Sequence, residues 1–148
     1  MKKRHLIFVL VVLFLYGCSS ADNTQITECG TDDMDECNRR LSVYNNDMSY
    51  CPKIEDVDLR TTCYVTLAVR NSDLSMCENA DDELQKNICL RTYALAKEDL
   101  EACDTIGDSN QKDLCARNIA IRKKDAALCG EVVQDFQKEL CLSTIQEQ

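Results

Sequence analysis

Apolar and polar residues recur along this chain with a period of 26 residues. Each period holds a short apolar run behind an aspartate, and a longer segment whose apolar residues are three to five positions apart. The second spacing is typical of one face of an α-helix, and the chain has only four glycines and one proline to interrupt it. We therefore predict one helix of about two turns and one of about four turns in each unit. The units span residues 38–63, 64–89, 90–115 and 116–141, with a final fragment at 142–148.

An aspartate stands ten residues into every unit, four residues before a cysteine. A carboxylate just before a short apolar run can accept hydrogen bonds from the free amides of a helix's first turn, so we predict that this residue is an N-cap. The alternative is a row of carboxylates that binds cations or a basic partner. The column consists of Asp47, Asp73, Asp99 and Asp125.

The apolar residues of each unit predict which side of its helices is buried. Three residues after the first cysteine of each unit comes a small or apolar residue. In the long helix, the spacing places apolar residues on one broad face. The first set consists of Ile54, Ala80, Ile106 and Val132; the second includes Leu84, Ile88, Cys89 and Tyr93 in one unit and Leu114, Cys115, Ile119 and Ala120 in the next.

Two residues are expected to shape the turns. Pro52 lies five residues after the Asp47 cap, where proline would remove an internal hydrogen bond and clash one turn back. We therefore expect the first short helix to be distorted or to start late. Polar turns end the short helices, and in one of them Gly107 suits a left-handed helix terminus.

A helical hairpin of this size cannot bury its apolar face alone, so neighbouring hairpins must stack. The predicted fold is all-α: a short, disulfide-stapled α-solenoid of helical hairpins with a 26-residue repeat, formed by residues 29–148. The chain has no apolar block long enough for a large core. It therefore needs another source of stability, which its cysteines can supply.

Nine of the eleven cysteines form a ladder from Cys37 to Cys141, with thirteen and eleven intervening residues in strict alternation. If Cys29 pairs with Cys37, pairing across the eleven-residue gaps gives every other ladder cysteine a partner. Pairing across the thirteen-residue gaps leaves Cys29 and Cys141 without partners at opposite ends of the chain. We predict the first scheme, in which each loop of a dozen residues contributes on the order of 3 kcal/mol. Its pairs are Cys29–Cys37, Cys51–Cys63, Cys77–Cys89, Cys103–Cys115 and Cys129–Cys141; the alternative pairs are Cys37–Cys51, Cys63–Cys77, Cys89–Cys103 and Cys115–Cys129.

The N-terminus has the three parts of a secretory signal: a basic start, an apolar run over residues 6–16 and a small residue, Gly17. The alternative is a transmembrane helix, but this apolar run falls short of the ~20 residues that cross a bilayer. The segment Leu15-Tyr16-Gly17-Cys18 resembles the bacterial lipobox. The resemblance implies that residues 1–17 are removed as a signal peptide and that Cys18 becomes the lipid-modified N-terminus.

A lipid-modified Cys18 would hold the mature chain on a membrane, because it carries several acyl chains where one alone binds only marginally. Ser19 follows the cysteine, in the place where an aspartate is the retention signal of enteric bacteria, so the resemblance favours the outer membrane. In an organism with a single membrane, the same motif implies the outer face of that membrane. Residues 18–28 would form the lipidated N-terminus and a polar tether with a reach of roughly 35 Å.

Charge and residue types disfavour several classes of function. The formal charge is -9, and loss of the signal, which has three basic and no acidic residues, takes it to -12; such a surface repels nucleic acids. The one histidine, His5, lies in the signal, so the mature chain has no imidazole for zinc binding or nucleophilic catalysis. No Cys-x-x-Cys, glycine-rich phosphate loop or Gly-x-Ser-x-Gly motif occurs. We predict no enzymatic activity, no cofactor and no metal site.

Three further sets of residues have both a structural and a functional interpretation. The acidic run at 32–36 is a solvated turn closed by Cys29–Cys37 or, although EF-hand spacing is missing, a calcium site. A basic column is expected to lie near carboxylates such as Asp82, Asp108 and Glu139, and four tyrosines are core residues or anchors of a binding surface. The basic column is Arg60, Lys86, Lys112 and Lys138, and the tyrosines are Tyr44, Tyr50, Tyr64 and Tyr93.

Disulfide-linked αα repeats outside the cytoplasm resemble, in construction only, the Sel1-like, cysteine-rich repeat proteins of bacteria. That family has a longer period and closer cysteine pairs, so no residue role is carried over. Solenoids present extended surfaces, and the leading hypothesis is a membrane-anchored, non-catalytic scaffold that binds a protein with a basic patch or an envelope polymer. The alternatives are a pilotin-like or assembly-factor lipoprotein for an envelope machine and, less favoured, a metal or redox protein.

Overall fold

The computed structural model of the chain describes Cys29 and residues 33–147. The predicted signal at 1–17, the lipidation site Cys18 and the tether at 18–28 lie outside the described residues. Every regular element of residues 33–147 is helical, which confirms the all-α class. The long helices are α1 (Met34–Asn45), α2 (Val57–Asn71), α3 (Glu83–Lys97), α5 (Ser109–Lys123) and α6 (Asp135–Gln146); the short segments are the 3₁₀-helices η1 (Met48–Lys53), η2 (Leu74–Asn79) and η3 (Ala126–Glu131) and the short helix α4 (Leu100–Asp104).

The long helices stack side by side in one layer. Each packs on the next long helix along the chain, and each short segment contacts the long helices before and after it. This arrangement confirms the predicted disulfide-stapled α-solenoid with its 26-residue repeat. The predicted lengths are confirmed as well, because six residues make two turns of 3₁₀-helix and fifteen make about four turns of α-helix.

The aspartate of each unit joins two helices through two separate hydrogen bonds. Its carboxylate caps the short segment that follows, as predicted. Its N–H donates to a carbonyl in the last turn of the preceding long helix at 2.9–3.0 Å, which is a bond of the Schellman type. The same residue therefore ends one helix and begins the next. This holds for Asp47, Asp73, Asp99 and Asp125.

The residue before each of these aspartates has a left-handed backbone conformation. The φ angles are 52–54°, a region in which glycine is the favoured residue. No glycine of the described residues has a positive φ angle, so the expectation of a left-handed terminus at Gly107 is wrong. The left-handed turn lies instead at the end of the long helix, where none of the units has a glycine. The four residues are Asn46, Ser72, Glu98 and Lys124.

Replacing one of these left-handed residues by glycine is expected to stabilise the protein. For Lys124→Gly the free energy of unfolding should rise by about 0.5–1 kcal/mol, because glycine adopts this conformation without strain. Lys123→Gly should lower it by about 1 kcal/mol, because Lys123 lies inside α5. Urea unfolding of both variants measures the two changes, and a loss of stability in Lys124→Gly would contradict the prediction.

The ten described cysteines lie at disulfide distance in the five pairs of the eleven-residue scheme. The eight cysteines of the four repeat bridges are at most 1% exposed, whereas Cys29 and Cys37 are half-buried. The bridges therefore form part of the core itself, beside Leu67, Leu90 and Ile119. Disulfides persist outside the reducing cytoplasm, so the structure is consistent with an extracytoplasmic protein.

Pro52 does not distort the first short segment. The 3₁₀-helix η1 begins and ends at the same repeat positions as η2 and η3, which contain no proline. The expectation of distortion is wrong because η1 is a 3₁₀-helix without i→i−4 geometry, and its closing hydrogen bond is donated by Ile54 to the Cys51 carbonyl and needs no N–H from Pro52. The apolar column behind these segments is buried at Ile54, Ile106 and Val132 and half-buried at Ala80.

Consecutive units are joined by a polar side chain two residues before the second cysteine of a bridge. At three of the four junctions its oxygen accepts hydrogen bonds of 2.8–3.2 Å from the backbone where the next long helix begins. At the other junction Thr61 holds this position and donates to Gln85. The acceptors and their donors are Asp35 with Glu55 and Asp56, Asn87 with Gly107, and Asp113 with Val133 and Gln134.

Acidification is expected to loosen the first of these junctions. The backbone amides of Glu55 and Asp56 lower the pKa of the Asp35 carboxyl from its ordinary value of 3.8, because they stabilise the charged form. A lowered pKa adds stability above the unfolded-state value, and that stability is lost as pH falls through the folded-state value. The hydrogen-exchange protection of these two amides should therefore fall below about pH 4.

The variant Asp35→Asn provides the control for this pH dependence, since its amide does not titrate. Protection at Glu55 and Asp56 should be weaker in the variant near neutral pH and should no longer change between about pH 5 and pH 2. A pH-dependent loss of equal size in the variant would assign the effect to other carboxylates.

Candidate interaction surface

The long helices turn one face away from the disulfide core. On that face, α3, α5 and α6 all carry an apolar residue at one repeat position, and α3 and α6 carry a second at the position that Asn110 occupies in α5. Because the helices stack in register, residues 26 positions apart lie side by side across the layer. We call this set the outer apolar stripe. It consists of Leu84, Ile88, Leu114, Phe136 and Leu140.

The outer apolar stripe is open to solvent. Leu84 and Phe136 are 61% and 71% exposed, and the other three members are partly exposed. Val133, which precedes α6, is 80% exposed and enlarges the apolar area. Scattered apolar residues on a surface need no explanation, but several in register on adjacent helices form the kind of patch that another molecule covers.

The single broad face predicted for the long helix divides into two in the structure. Cys89 and Tyr93 are buried as expected, but Leu84 is exposed and Ile88 is half-buried. Five residues rotate an α-helix by about 140°, so Leu84 and Cys89 lie on nearly opposite sides of α3. The prediction was wrong for Leu84 because apolar spacing alone does not distinguish a core residue from an exposed one.

The stripe is confined to the three C-terminal long helices. In α2 the equivalent positions hold Asp58 and Thr62, and in α1 the position of Thr62 is taken by Glu36. The fold therefore does not require apolar residues on this face, since two of its helices do without them. The apolar side chains of the later units are therefore an addition to what the stacking of helices needs.

An acidic edge borders the stripe at the N-terminal ends of the same helices. Carboxylates are favoured there by the helix dipole, and two of them cap α3 and α5 by accepting backbone hydrogen bonds at 2.9 and 2.8 Å. All of them are exposed. The surface thus combines apolar anchors with a negative border. The acidic edge consists of Asp81, which is paired with Arg60, and of Asp82, Glu83, Asp108 and Asp135.

The predicted basic column forms ion pairs, but with other carboxylates than expected. Asp82 and Asp108 act as helix caps, and the basic side chains turn instead to nearer carboxylates, two of which belong to the short segments. Such exposed pairs contribute little individually to stability. In the last unit, the position equivalent to these short-segment carboxylates is Gly130. The pairs are Arg60–Asp81, Lys86–Glu78 and Lys112–Asp104, at 2.6–2.7 Å.

The four tyrosines divide between core and surface. Tyr64 and Tyr93 are buried in the main apolar cluster, as the core interpretation requires. Tyr50 is half-buried, and the ammonium group of Lys53 lies 4.4 Å from its ring centre. Tyr44 is 47% exposed and is therefore the one with the most surface available for contact.

The described part of the acidic run is engaged by the protein. Asp33 caps α1, Asp35 accepts from the next unit, and Glu36 pairs with Arg39 at 2.6 Å. Among residues 33–147 and Cys29, no three histidine, cysteine, aspartate or glutamate side chains converge as they would around a metal ion. None of the helices in that part of the chain has the length and apolarity needed to cross a bilayer.

The candidate surface rests on the chain's own residues. Its elements are the register of the outer apolar stripe, the exposure of Leu84 and Phe136, and the acidic edge beside them. No protein-family model matches the chain, and comparisons with curated proteins and with solved structures find no significant match.

Proposed function

We propose that this protein is an exported, lipid-anchored and non-catalytic scaffold that binds another envelope protein through the outer apolar stripe. The observation that carries the proposal is the apolar row of Ile88, Leu114 and Leu140 across three stacked helices. Exposed Leu84 and Phe136 enlarge this row at its two ends. Burial of apolar surface is the main favourable term in protein association, and aromatic side chains are frequent anchors. The rigid, disulfide-linked layer would hold the anchors in place before binding.

The geometry suggests the kind of partner. The stripe crosses three helices whose axes lie ~10 Å apart, so it extends over roughly 20 Å. An amphipathic helix of about four turns covers this distance. Basic residues beside its apolar face would meet the acidic edge, and the attraction between them would weaken as salt screens the charges.

A photo-crosslinking residue placed at position 136 tests this proposal in cells. It should capture one envelope protein, and the purified complex should weaken when salt is raised from about 50 to 500 mM. Phe136→Asp should reduce the affinity at least tenfold, because it removes an aromatic anchor and places a charged group in the apolar contact.

Position 57 supplies the matched control. Val57 is 41% exposed, like a stripe residue, but it begins α2 outside the outer apolar stripe. A crosslinker there should not capture the same protein, and Val57→Asp should leave the affinity within about twofold. Equal capture from both positions, or binding that does not respond to salt, would contradict the proposed surface.

The membrane anchor has its own test. In the variant Cys18→Ser the lipid acceptor is lost, and chains from which the signal has been removed should move from the membrane fraction to the soluble fraction because no acyl chain remains to hold them. The disulfide-linked domain should be unaffected, since Cys18 is not among the paired cysteines. Continued membrane association after removal of the signal would contradict lipid anchoring.

A further inference from the structure

Three arginines converge on one recess between α1 and α2. The recess has a volume of about 450 Å³ and is lined by Arg39, Arg40, Val43, Tyr44 and Arg70. Its positive character stands out in a chain whose formal charge is -9. Glu36 pairs with Arg39, so the charges of Arg40 and Arg70 are the ones without a carboxylate among the described residues, and a bound anion would be attracted to them.

Two of the three guanidinium groups are held in place by the protein. Arg39 forms a two-fold contact with the Glu36 carboxylate at 2.6 and 2.7 Å, and Arg70 donates to the Val43 carbonyl in the last turn of α1. Arg40 is exposed and has no ion-pair or hydrogen-bond partner among the described residues. Groups that are already ordered lose little entropy when a ligand binds, and the third can close over it.

Only part of this recess recurs along the repeat. At the junction of α3 and α5, Arg91 and Arg122 stand at the positions of Arg39 and Arg70, and Arg122 donates to the Leu95 carbonyl as Arg70 does to that of Val43. The positions of Arg40 and Tyr44 hold Thr92 and Ala96 there, so the third cation and the aromatic ring distinguish the first junction. Between α2 and α3 the equivalent residues are Val65, Thr66, Val69, Arg70 and Ala96.

We propose that this recess binds a phosphate group, presented by the headgroup of an anionic phospholipid. Guanidinium groups bind phosphate through paired, charge-assisted hydrogen bonds, and a cluster of them suits its several oxygens better than it suits a lone carboxylate. Val43 and Tyr44 give the recess an apolar wall that can face the glycerol and upper acyl groups. The lipid source rests on the proposed anchor, because the tether would enter the first unit at Cys29, whose disulfide with Cys37 lies two residues from Arg39.

Isothermal titration of the full chain, purified from membranes in an uncharged detergent, tests the inference. The probes are inorganic phosphate, dihexanoyl phosphatidylglycerol and, as the zwitterionic reference, dihexanoyl phosphatidylcholine. Phosphate and phosphatidylglycerol should bind at one site per chain, and phosphatidylglycerol should bind at least tenfold more tightly than phosphatidylcholine. Arg40→Gln should weaken both anions about tenfold or more.

Lys123→Gln is the matched control, since it removes the same charge from an exposed position at the far end of α5. It should change the affinities less than twofold, and both variants should keep the melting temperature of the natural chain. Absence of binding, or an equal loss in both variants, would overturn the phosphate site. Binding of phosphate without phosphatidylglycerol would retain the site and overturn its lipid source. Because no partner protein is present, Phe136→Asp should bind these probes normally even if the proposed interaction surface is wrong.

Discussion

Replacing both Cys77 and Cys89 by alanine is expected to lower the free energy of unfolding by about 4–5 kcal/mol. Loss of a loop of this length accounts for about 3 kcal/mol. The remainder comes from packing, because both sulfurs lie in the core and their removal leaves a cavity among well-packed side chains. Urea unfolding without reductant, followed by circular dichroism, measures the change.

The terminal bridge separates these two contributions. Cys29–Cys37 closes a loop only slightly shorter, so the loop-entropy loss for its double alanine variant is about the same size. Both of its cysteines are half-buried, however, and their removal should cost little in packing. A variant of Cys29 and Cys37 that is destabilised as much as the interior variant would show that the core position of the sulfurs does not matter.

The substitution Asp113→Ala is expected to lower the free energy of unfolding by about 3 kcal/mol. The carboxylate is 2% exposed and accepts from the amides of Val133 and Gln134 at 3.0 and 2.9 Å. Removing it breaks two charge-assisted hydrogen bonds and leaves both donors without a partner. The side chain of Gln134 does not cap α6, and Asp113 holds the two backbone amides that lead into that helix. Hydrogen exchange at these two amides should accelerate more than exchange in α2.

Glu139 provides the comparison within the same chain. It stands at the repeat position of Asp113, 26 residues later, but it is exposed and lies in the last described helix. Glu139→Ala should change the free energy of unfolding by less than about 0.5 kcal/mol. Asp113→Asn should fall between the two, because an amide oxygen can still accept one hydrogen bond, as Asn87 does at its own junction at 3.2 Å. A large effect of Glu139→Ala would contradict the view that this repeat position stabilises the protein by joining one unit to the next.

Much of the architecture could be predicted because it depends on short-range chemistry that repeats. An aspartate such as Asp73 accepts a hydrogen bond from an amide only two residues away. Of the two pairing schemes considered for the cysteines, one leaves no cysteine without a partner. A period without insertions then extends each local conclusion to every unit. These features are visible in a sequence because they require no knowledge of how far apart distant segments lie.

Other features depend on geometry that the pattern does not contain. Whether Pro52 distorts η1 depends on whether that segment is an α-helix or a 3₁₀-helix, and a sequence of six residues is compatible with either. The left-handed residue Ser72 could not be identified from the sequence, because the usual signal for this conformation is a glycine. Whether Leu84 is buried or exposed depends on which side of α3 faces the neighbouring helices. That orientation is known only once the helices are packed together. The arginine recess was missed for the same reason, since Arg39 and Arg70 meet only when α1 and α2 are packed.

The two proposed sites lie in different parts of the array. The phosphate recess belongs to the first junction, whereas the outer apolar stripe belongs to the last three long helices. A chain held to a membrane by its N-terminus would thus keep its apolar surface away from the lipid and available to a partner. Interior bridges such as Cys77–Cys89 close single units, and side chains such as Asn87 join each unit to the next.

The side chains that join consecutive units also restrict how such a chain can change in length. A single residue inserted into α3 after Asn87 would rotate everything beyond it by about 100° and move the Gly107 amide away from its acceptor, the Asn87 side chain. A whole unit of 26 residues inserted after Cys115 would instead recreate every capping bond, bridge and junction. Duplication of complete units is therefore the route by which this architecture can lengthen, and each added unit would widen the outer surface by one helix.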